Sequence, residues 1–280
     1  MPCMSALTYH PLSSGSKGNL SFLSSKDTRI LIDCGLNYKH CLQRLEEANI
    51  DPESIDAIII THEHIDHIRG LEVFCKRHEV TVLCTSILAM HLKNECGLNL
   101  NYKVFSSFEP FYYGSIHIDP FSISHDAVDP VAFVFTIFGI RIGHCTDLGF
   151  VSSLVAKKLQ LCDVLLLESN HDVGMVHSSM RPQVYKKRVL SRVGHLSNEA
   201  SSELLEYLHH PKLQRVYLAH LSEECNHPEK ALAVHRSTLE AKNKSLDIHI
   251  AHQREISLKF ELSKMDLETI KGHADAALHI

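Results

Sequence analysis

The sequence predicts an α/β fold. Short apolar, β-branched runs recur along the chain, helix-period stretches lie between them, and several runs end in a charged or metal-capable residue. The strand-like runs cover residues 29–33, 57–61, 80–84, 116–121, 131–138, 140–144, 164–168 and 215–219. Among the helices, residues 38–49 place Cys41, Leu42, Leu45 and Ala48 at helical spacing, and Asp51-Pro52 stops the run. Residues 86–95 form a second helix, with Gly97 as its cap. Ser197-Asn198-Glu199 opens a third, whose Leu204, Leu205 and Leu208 share one face and which Pro211 ends; residues 228–243 form a fourth. A final pair of strands is expected near 248–251 and 256–260. With no internal repeat or low-complexity linker, the economical organisation is one domain over residues 1–262. A tail over 263–280 follows, as a short helix or a loose end.

Composition narrows the class. A hydrophobic fraction of 44% and a charged fraction of 22% suit a globular chain and argue against broad disorder. No apolar stretch approaches the ~20 residues of a membrane-spanning helix. The first residues lack a basic region followed by an apolar core, so no secretory leader is expected. Nine cysteines, an odd number without CxxC pairs, suit a reduced cytoplasmic compartment better than a disulfide framework. The net charge of −5 does not announce a nucleic-acid binder, although a local basic patch remains compatible with it.

The densest chemistry lies at Thr61-His62-Glu63-His64-Ile65-Asp66-His67, directly after Ile58-Ile59-Ile60. Imidazole and carboxylate suit divalent transition metals, and a strand end lets a rigid sheet aim several of them at one point. His62 and His64 point the same way on an extended backbone, while Asp66 and His67 come after the turn and can face a second centre. A zincin reading fails, because His-Glu-x-x-His needs a histidine where Asp66 stands. A solvated polar loop would look similar, so partners from elsewhere in the chain are required. Three lie at or just after strand-like runs: His125, Asp147 and His220.

With these residues in order, the chain resembles the metallo-β-lactamase fold, in the branch that includes ribonuclease Z and related phosphodiesterases. Further segments narrow the resemblance: Ser14-Gly15-Ser16-Lys17-Gly18-Asn19, Ile123 through Val131, Glu168-Ser169-Asn170-His171-Asp172, Gly194-His195-Leu196-Ser197-Asn198 and His220-Leu221-Ser222-Glu223. Together they are similar to the YycJ (WalJ) family of bacterial metallo-hydrolases, over residues 7 to 261. The resemblance implies a four-layer αββα sandwich with two divalent metal ions, zinc or manganese, at one edge. It assigns His62, His64 and His125 to one metal, Asp66, His67 and His220 to the other, and Asp147 as the bridge. It implies a DNA-directed nuclease, of 5′-to-3′ exonuclease type, and a link to a two-component regulatory system of the cell wall. Lys17 and residues 176–182 depart from the family pattern.

Two cations roughly 3.5–4 Å apart can share a bridging hydroxide for attack on phosphorus. Asp66 is expected to orient that nucleophile, with Glu63 and Asp126 as acceptors behind the ligand histidines. His195, just before a helix start, is expected to bind the scissile phosphate or protonate the leaving oxygen. Between Asp172 and Glu199 there is no acid but a basic run containing Arg181, Lys186, Lys187, Arg188 and Arg192. With Lys17, residues Lys186, Lys187 and Arg188 are the expected substrate contacts, in a groove for the nucleic-acid backbone. Competing readings are hydrolysis of a small cyclic phosphodiester or thioester, and a non-catalytic regulatory protein that keeps the fold. Seven filled ligand positions argue against the latter, and the ligand order argues against β-lactamase activity.

Overall fold

The computed structural model describes residues 6–263 together with 265, 266 and 269. Apart from those positions, the expected tail lies outside the described residues. The chain opens with β1 (Leu7–Ser13), β2 (Leu20–Ser24), β3 (Arg29–Ile32), α1 (Tyr38–Glu47) and β4 (Ala57–Ile59). After the histidine-rich segment come α2 (Ile65–Ile68), α3 (Leu71–His78), β5 (Thr81–Thr85), α4 (Ser86–Asn94) and β6 (Tyr102–Phe105). The second half contains β7 (Phe111–Tyr113), β8 (Ile116–Ser122), β9 (Val131–Ile137), β10 (Ile140–Cys145), α5 (Ser153–Leu159) and β11 (Val164–Glu168). It closes with α6 (Val173–Ser178), α7 (Gln183–Val189), α8 (Asn198–Leu208), β12 (Arg215–Ala219), α9 (Pro228–Glu240), β13 (Asp247–Ile250) and β14 (Phe260–Leu262).

These strands form two seven-stranded sheets, ordered β14-β1-β2-β3-β4-β5-β6 and β13-β12-β11-β10-β9-β8-β7. Their apolar runs are unbroken because both faces of each sheet are covered, and side-chain alternation divides them between two cores. Ile30, Ile32, Ile59 and Leu83 meet Phe133, Phe135, Ile142 and Leu166 between the sheets. Leu31, Ile58 and Val82 point outward to Leu45, Phe74, Leu88 and Leu92 of α1, α3 and α4. On the other outer face Leu165, Leu167, Val216 and Leu218 pack against Val155, Leu159, Leu204, Leu205 and Leu239 of α5, α8 and α9. The result is the four-layer αββα sandwich. Each fully buried leucine or phenylalanine contributes about 1.5–3 kcal/mol.

Strands β3-β4-β5 and β10-β11-β12 are parallel within their sheets, so in each sheet these neighbours end at the same edge. The expected C-terminal strand pair does not form. Its members lie at edges of different sheets, β13 beside β12 and β14 beside β1, and the second is confined to residues 260–262. Gly97, at φ 68°, turns the chain just past α4 as expected of a left-handed cap. No cysteine among the described residues forms a disulfide. No described helix is long and apolar enough to cross a membrane.

Candidate metal centre

Strand ends assemble the site. β3 delivers Asp33, β4 the segment from Thr61 to His67, β10 Asp147, β11 Glu168 and β12 His220. Three of these residues leave their strands with positive φ: Asp33 at 61°, Asp147 at 57° and His220 at 55°. Non-glycine residues adopt this region rarely, and such strain clusters where side-chain aim matters more than backbone comfort. A close backbone approach supports the segment from below, since a Cβ on Gly35 would lie 1.6 Å from the Asp66 carbonyl oxygen.

His62, His64 and His125 bring ligand nitrogens within 4.8 Å of one another, and so do donor atoms of Asp66, His67 and His220. Asp147 stands between the two triads. Its Oδ1 is 3.7 Å from His125 Nε2 and 3.5 Å from His220 Nε2, and its Oδ2 is 3.2 Å from His67 Nε2. The structure thus brings together all seven residues expected as ligands.

The donor set fits a cation. His62 Nε2 and Asp147 Oδ2 are buried without a hydrogen-bond partner, a costly state for polar atoms unless a metal satisfies them. His67 states the same need more sharply. Its Nδ1–H donates to Asp33 Oδ2 at 2.7 Å, so in the neutral ring Nε2 is a lone pair, 3.0 Å from the Asn19 amide nitrogen and 3.2 Å from the Asp147 carboxylate. Two acceptors in contact call for positive charge between them. Burial works to lower the His67 pKa, yet Asp33 and Asp147 hold it well above the ordinary value, another sign of the demand for a cation here. Burial likewise works to raise Asp147, but His220 and His67 keep it well below the usual carboxylate range. Nitrogen and carboxylate donors without thiolate suit divalent metals such as zinc or manganese.

The groups that orient the ligands differ from those expected. Thr61 Oγ1 lies 3.0 Å from His62 Nδ1, the Gly194 carbonyl accepts from His125 Nδ1 at 3.0 Å, and the Asp126 carbonyl accepts from His64 Nε2 at 3.2 Å. His64 therefore offers Nδ1 to the centre, while His125 offers Nε2. Glu63, expected as an acceptor, instead takes the Val128 N–H at 2.9 Å. Asp126 serves His64 through its backbone, because its carboxylate holds Arg188, with Arg188 Nη2 2.9 Å from Oδ1.

A cavity of about 190 Å³ opens beside these residues and is lined by His64, Asp66, Asp147, His195 and His220, with Tyr185 and Arg188 on one wall. Larger clefts, of about 400, 460 and 220 Å³, contain none of these side chains. His195 stacks on His220 at 5.2 Å between ring centroids, and its Nδ1 lies 2.8 Å from Glu168 Oε1. Glu168 is fully buried. Burial works to raise its pKa, but the imidazoles of His195 and His220 hold it below the ordinary value. Sequence reasoning did not assign Asp33 or Glu168 a role. The available signal was that each ends a strand-like run, but their partners lie 34 and 27 residues away.

The basic run is rearranged by tertiary partners. Lys186 is turned inward, its Nζ donating to the His177 carbonyl at 2.7 Å, and so does not face substrate as expected. Arg181 pairs with Glu224, and the Arg192 guanidinium lies 3.8 Å from the Phe150 ring centroid. Lys187 is exposed but does not line the cavity; Arg188 does. Lys17 also lies off the cavity wall, which its neighbour Ser16 joins. The acids missing between Asp172 and Glu199 are supplied from elsewhere, so only part of the run remains for a ligand.

The beta-lactamase superfamily domain matches residues 28–221. Exodeoxyribonuclease WalJ of Streptococcus pneumoniae serotype 2 is 36% identical over 230 residues, spanning 80% of this chain and 84% of that protein. Exodeoxyribonuclease YycJ of Bacillus anthracis is 30% identical over 239 residues, 84% and 90% of the two chains. The crystal structure of the metallo-beta-lactamase fold protein YhfI from Bacillus subtilis covers 92% of this chain and 100% of its own, with TM-score 0.69 at 16% identity, and agrees in fold. The chain is a metal-dependent hydrolase of the beta-lactamase superfamily. Within that superfamily it belongs to the WalJ/YycJ family.

Proposed function

We propose that the chain is a dinuclear metal-dependent phosphodiesterase that shortens DNA from an end. The observation that carries this reading is Asp147 set between two ligand triads, with His195, held by the buried Glu168, lining the same cavity. The names of the WalJ and YycJ relatives as exodeoxyribonucleases support DNA as the substrate. His62, His64 and His125 would hold one zinc or manganese ion, Asp66, His67 and His220 the other, with Asp147 shared. Bound there, the ions would supply Lewis-acid activation of water and neutralise charge on the phosphate.

The protein's own groups do the rest. Asp66, which faces the cavity, positions the attacking water and accepts its proton. His195 keeps its Nδ1 on Glu168, which leaves Nε2 to protonate the departing oxygen. Glu168 fixes the orientation of the ring and which nitrogen faces the cavity. Arg188, on the cavity wall, is held by the Asp126 carboxylate through Nε and Nη2 and would offer Nη1 to a phosphate oxygen.

End-labelled DNA with defined 5′ and 3′ ends, single- and double-stranded, assayed with zinc and with manganese, tests the reading. Stepwise shortening that Asp66→Asn abolishes is the expected result. Efficient hydrolysis of a cyclic phosphodiester or a thioester with DNA left intact would overturn it. We also carry forward a cytoplasmic location from the cysteine usage and the regulatory link from the resemblance. Co-purification with a sensor kinase or response regulator checks that link.

A further inference from the structure

We propose that Tyr185 is the platform on which a nucleobase flanking the scissile phosphate stacks, so that it governs how tightly the DNA end is held. This deepens the DNA reading above and rests on it. The cavity floor consists of imidazoles and carboxylates, whereas its wall is one face of α7, made by Tyr185, Arg188 and Val189. Tyr185 is the one phenol or phenyl ring among the described residues that line it. Tyr185 and Arg188 are three residues apart on the helix, which places their side chains next to each other. A guanidinium whose Nε and Nη2 are held by Asp126, leaving Nη1 for the phosphate, and a ring for the base then stand side by side, a combination that suits single-stranded nucleic acid.

The ring is held before any ligand arrives. The Arg181 guanidinium lies 5.0 Å from its centroid and is itself anchored, Arg181 Nε lying 2.6 Å from Glu224 Oε2. Val176, Val189 and Cys225 form the small cluster against which the tyrosine packs. Tyr185 is only half-buried and lines the cavity, so with Arg181 over the ring a base would have to reach the remaining face. Stacking suits an exonuclease because every base presents a π-face, whatever its hydrogen-bonding edge. Lys186 beside it cannot share the task, since its ammonium is spent on His177.

The test compares ordinary DNA ends with ends carrying an abasic nucleotide on one or the other side of the cleaved bond. Tyr185→Leu keeps an apolar side chain in the small cluster but removes the ring, and Tyr185→Phe keeps the ring. On ordinary DNA, Tyr185→Leu is expected to raise KM by about 5- to 150-fold, the range base–aromatic stacking spans, with kcat nearly unchanged. Tyr185→Phe should behave as wild type. The wild-type protein should lose a similar factor on one of the two abasic substrates, and Tyr185→Leu should lose nothing further on it. An equal additional loss from Tyr185→Leu on ordinary and abasic ends would show a packing role and overturn the proposal. So would an unchanged KM on ordinary DNA. A wild-type protein that cleaves no DNA with either metal overturns the DNA reading and this proposal with it, whereas cleavage indifferent to abasic ends overturns this proposal alone.

Discussion

Replacing Asp33 by asparagine perturbs the proposed second metal without touching a ligand. Asp33 is fully buried and has φ 61°, a conformation asparagine tolerates as well as aspartate, so the change adds no backbone strain. Its Oδ1 accepts the Thr61 N–H at 2.9 Å, and its Oδ2 accepts from His67 Nδ1 at 2.7 Å. An amide reproduces one of these bonds and not the other. Turned to keep Thr61, it presents NH₂ to His67 Nδ1, which must become a lone pair and send the ring proton to Nε2. That proton then points at Asp147, 3.2 Å away, where the cation belongs. Loss of such an orienting partner weakens metal binding about 10- to 100-fold, equivalent to about 1.4–2.7 kcal/mol. Imperfect buried hydrogen bonding costs the fold a further ~1–3 kcal/mol, which thermal melting reads separately. Competition against a chromophoric chelator should show one site near wild-type affinity, that of His62, His64 and His125, and one weakened. Two sites of unchanged affinity in a folded Asp33→Asn protein would refute the reasoning.

Other outcomes follow from the same geometry. His195→Ala should lower the rate of DNA cleavage by about 10²- to 10⁴-fold with metal content unchanged, and should lower that of a p-nitrophenyl phosphodiester far less, because its leaving group needs no proton; equal losses on both would remove the general-acid role. Lys186→Met should destabilise the protein by about 1–3 kcal/mol in melting experiments without weakening DNA binding, whereas Arg188→Ala should weaken binding and reduce its salt dependence. His235 bonds to the Ala231 carbonyl and Ser201, and burial pushes its pKa down to about 4. The unfolded chain takes up that proton near pH 6.5 and the folded chain refuses it until about 4, so stability falls as pH drops through this window. His235→Gln should flatten the fall by up to about 1.4 kcal/mol per pH unit in urea melts.

The parts of the fold readable from sequence are those whose local pattern and burial agree. Runs such as 57–60 and 164–167 are apolar throughout because helices cover both sheets, and they read as strands without ambiguity. β1 and β2 are not legible because Pro11 interrupts one and Ser21 and Ser24 break the apolar pattern of the other. α5, α6 and α7 are only six or seven residues long, too short to establish a period, and depend on tertiary packing for their stability. The same division holds at the site. Ligands clustered within 62–67 announce themselves, whereas Asp33 and Glu168 acquire meaning only when β3 and β11 bring them to His67 and His195. Likewise the charge of the 181–192 run was visible in one dimension, but Glu224 and Asp126, which pair with Arg181 and Arg188, arrive from other loops.

The central claim is that one pair of metal ions, held by seven side chains, cuts DNA. Titrating the metal-free protein with manganese while following the shortening of end-labelled DNA tests it most directly. No cleavage is expected without metal, and the rate should rise until two equivalents are bound per chain. A rate that saturates at one equivalent, or DNA that stays intact at every ratio, would contradict it.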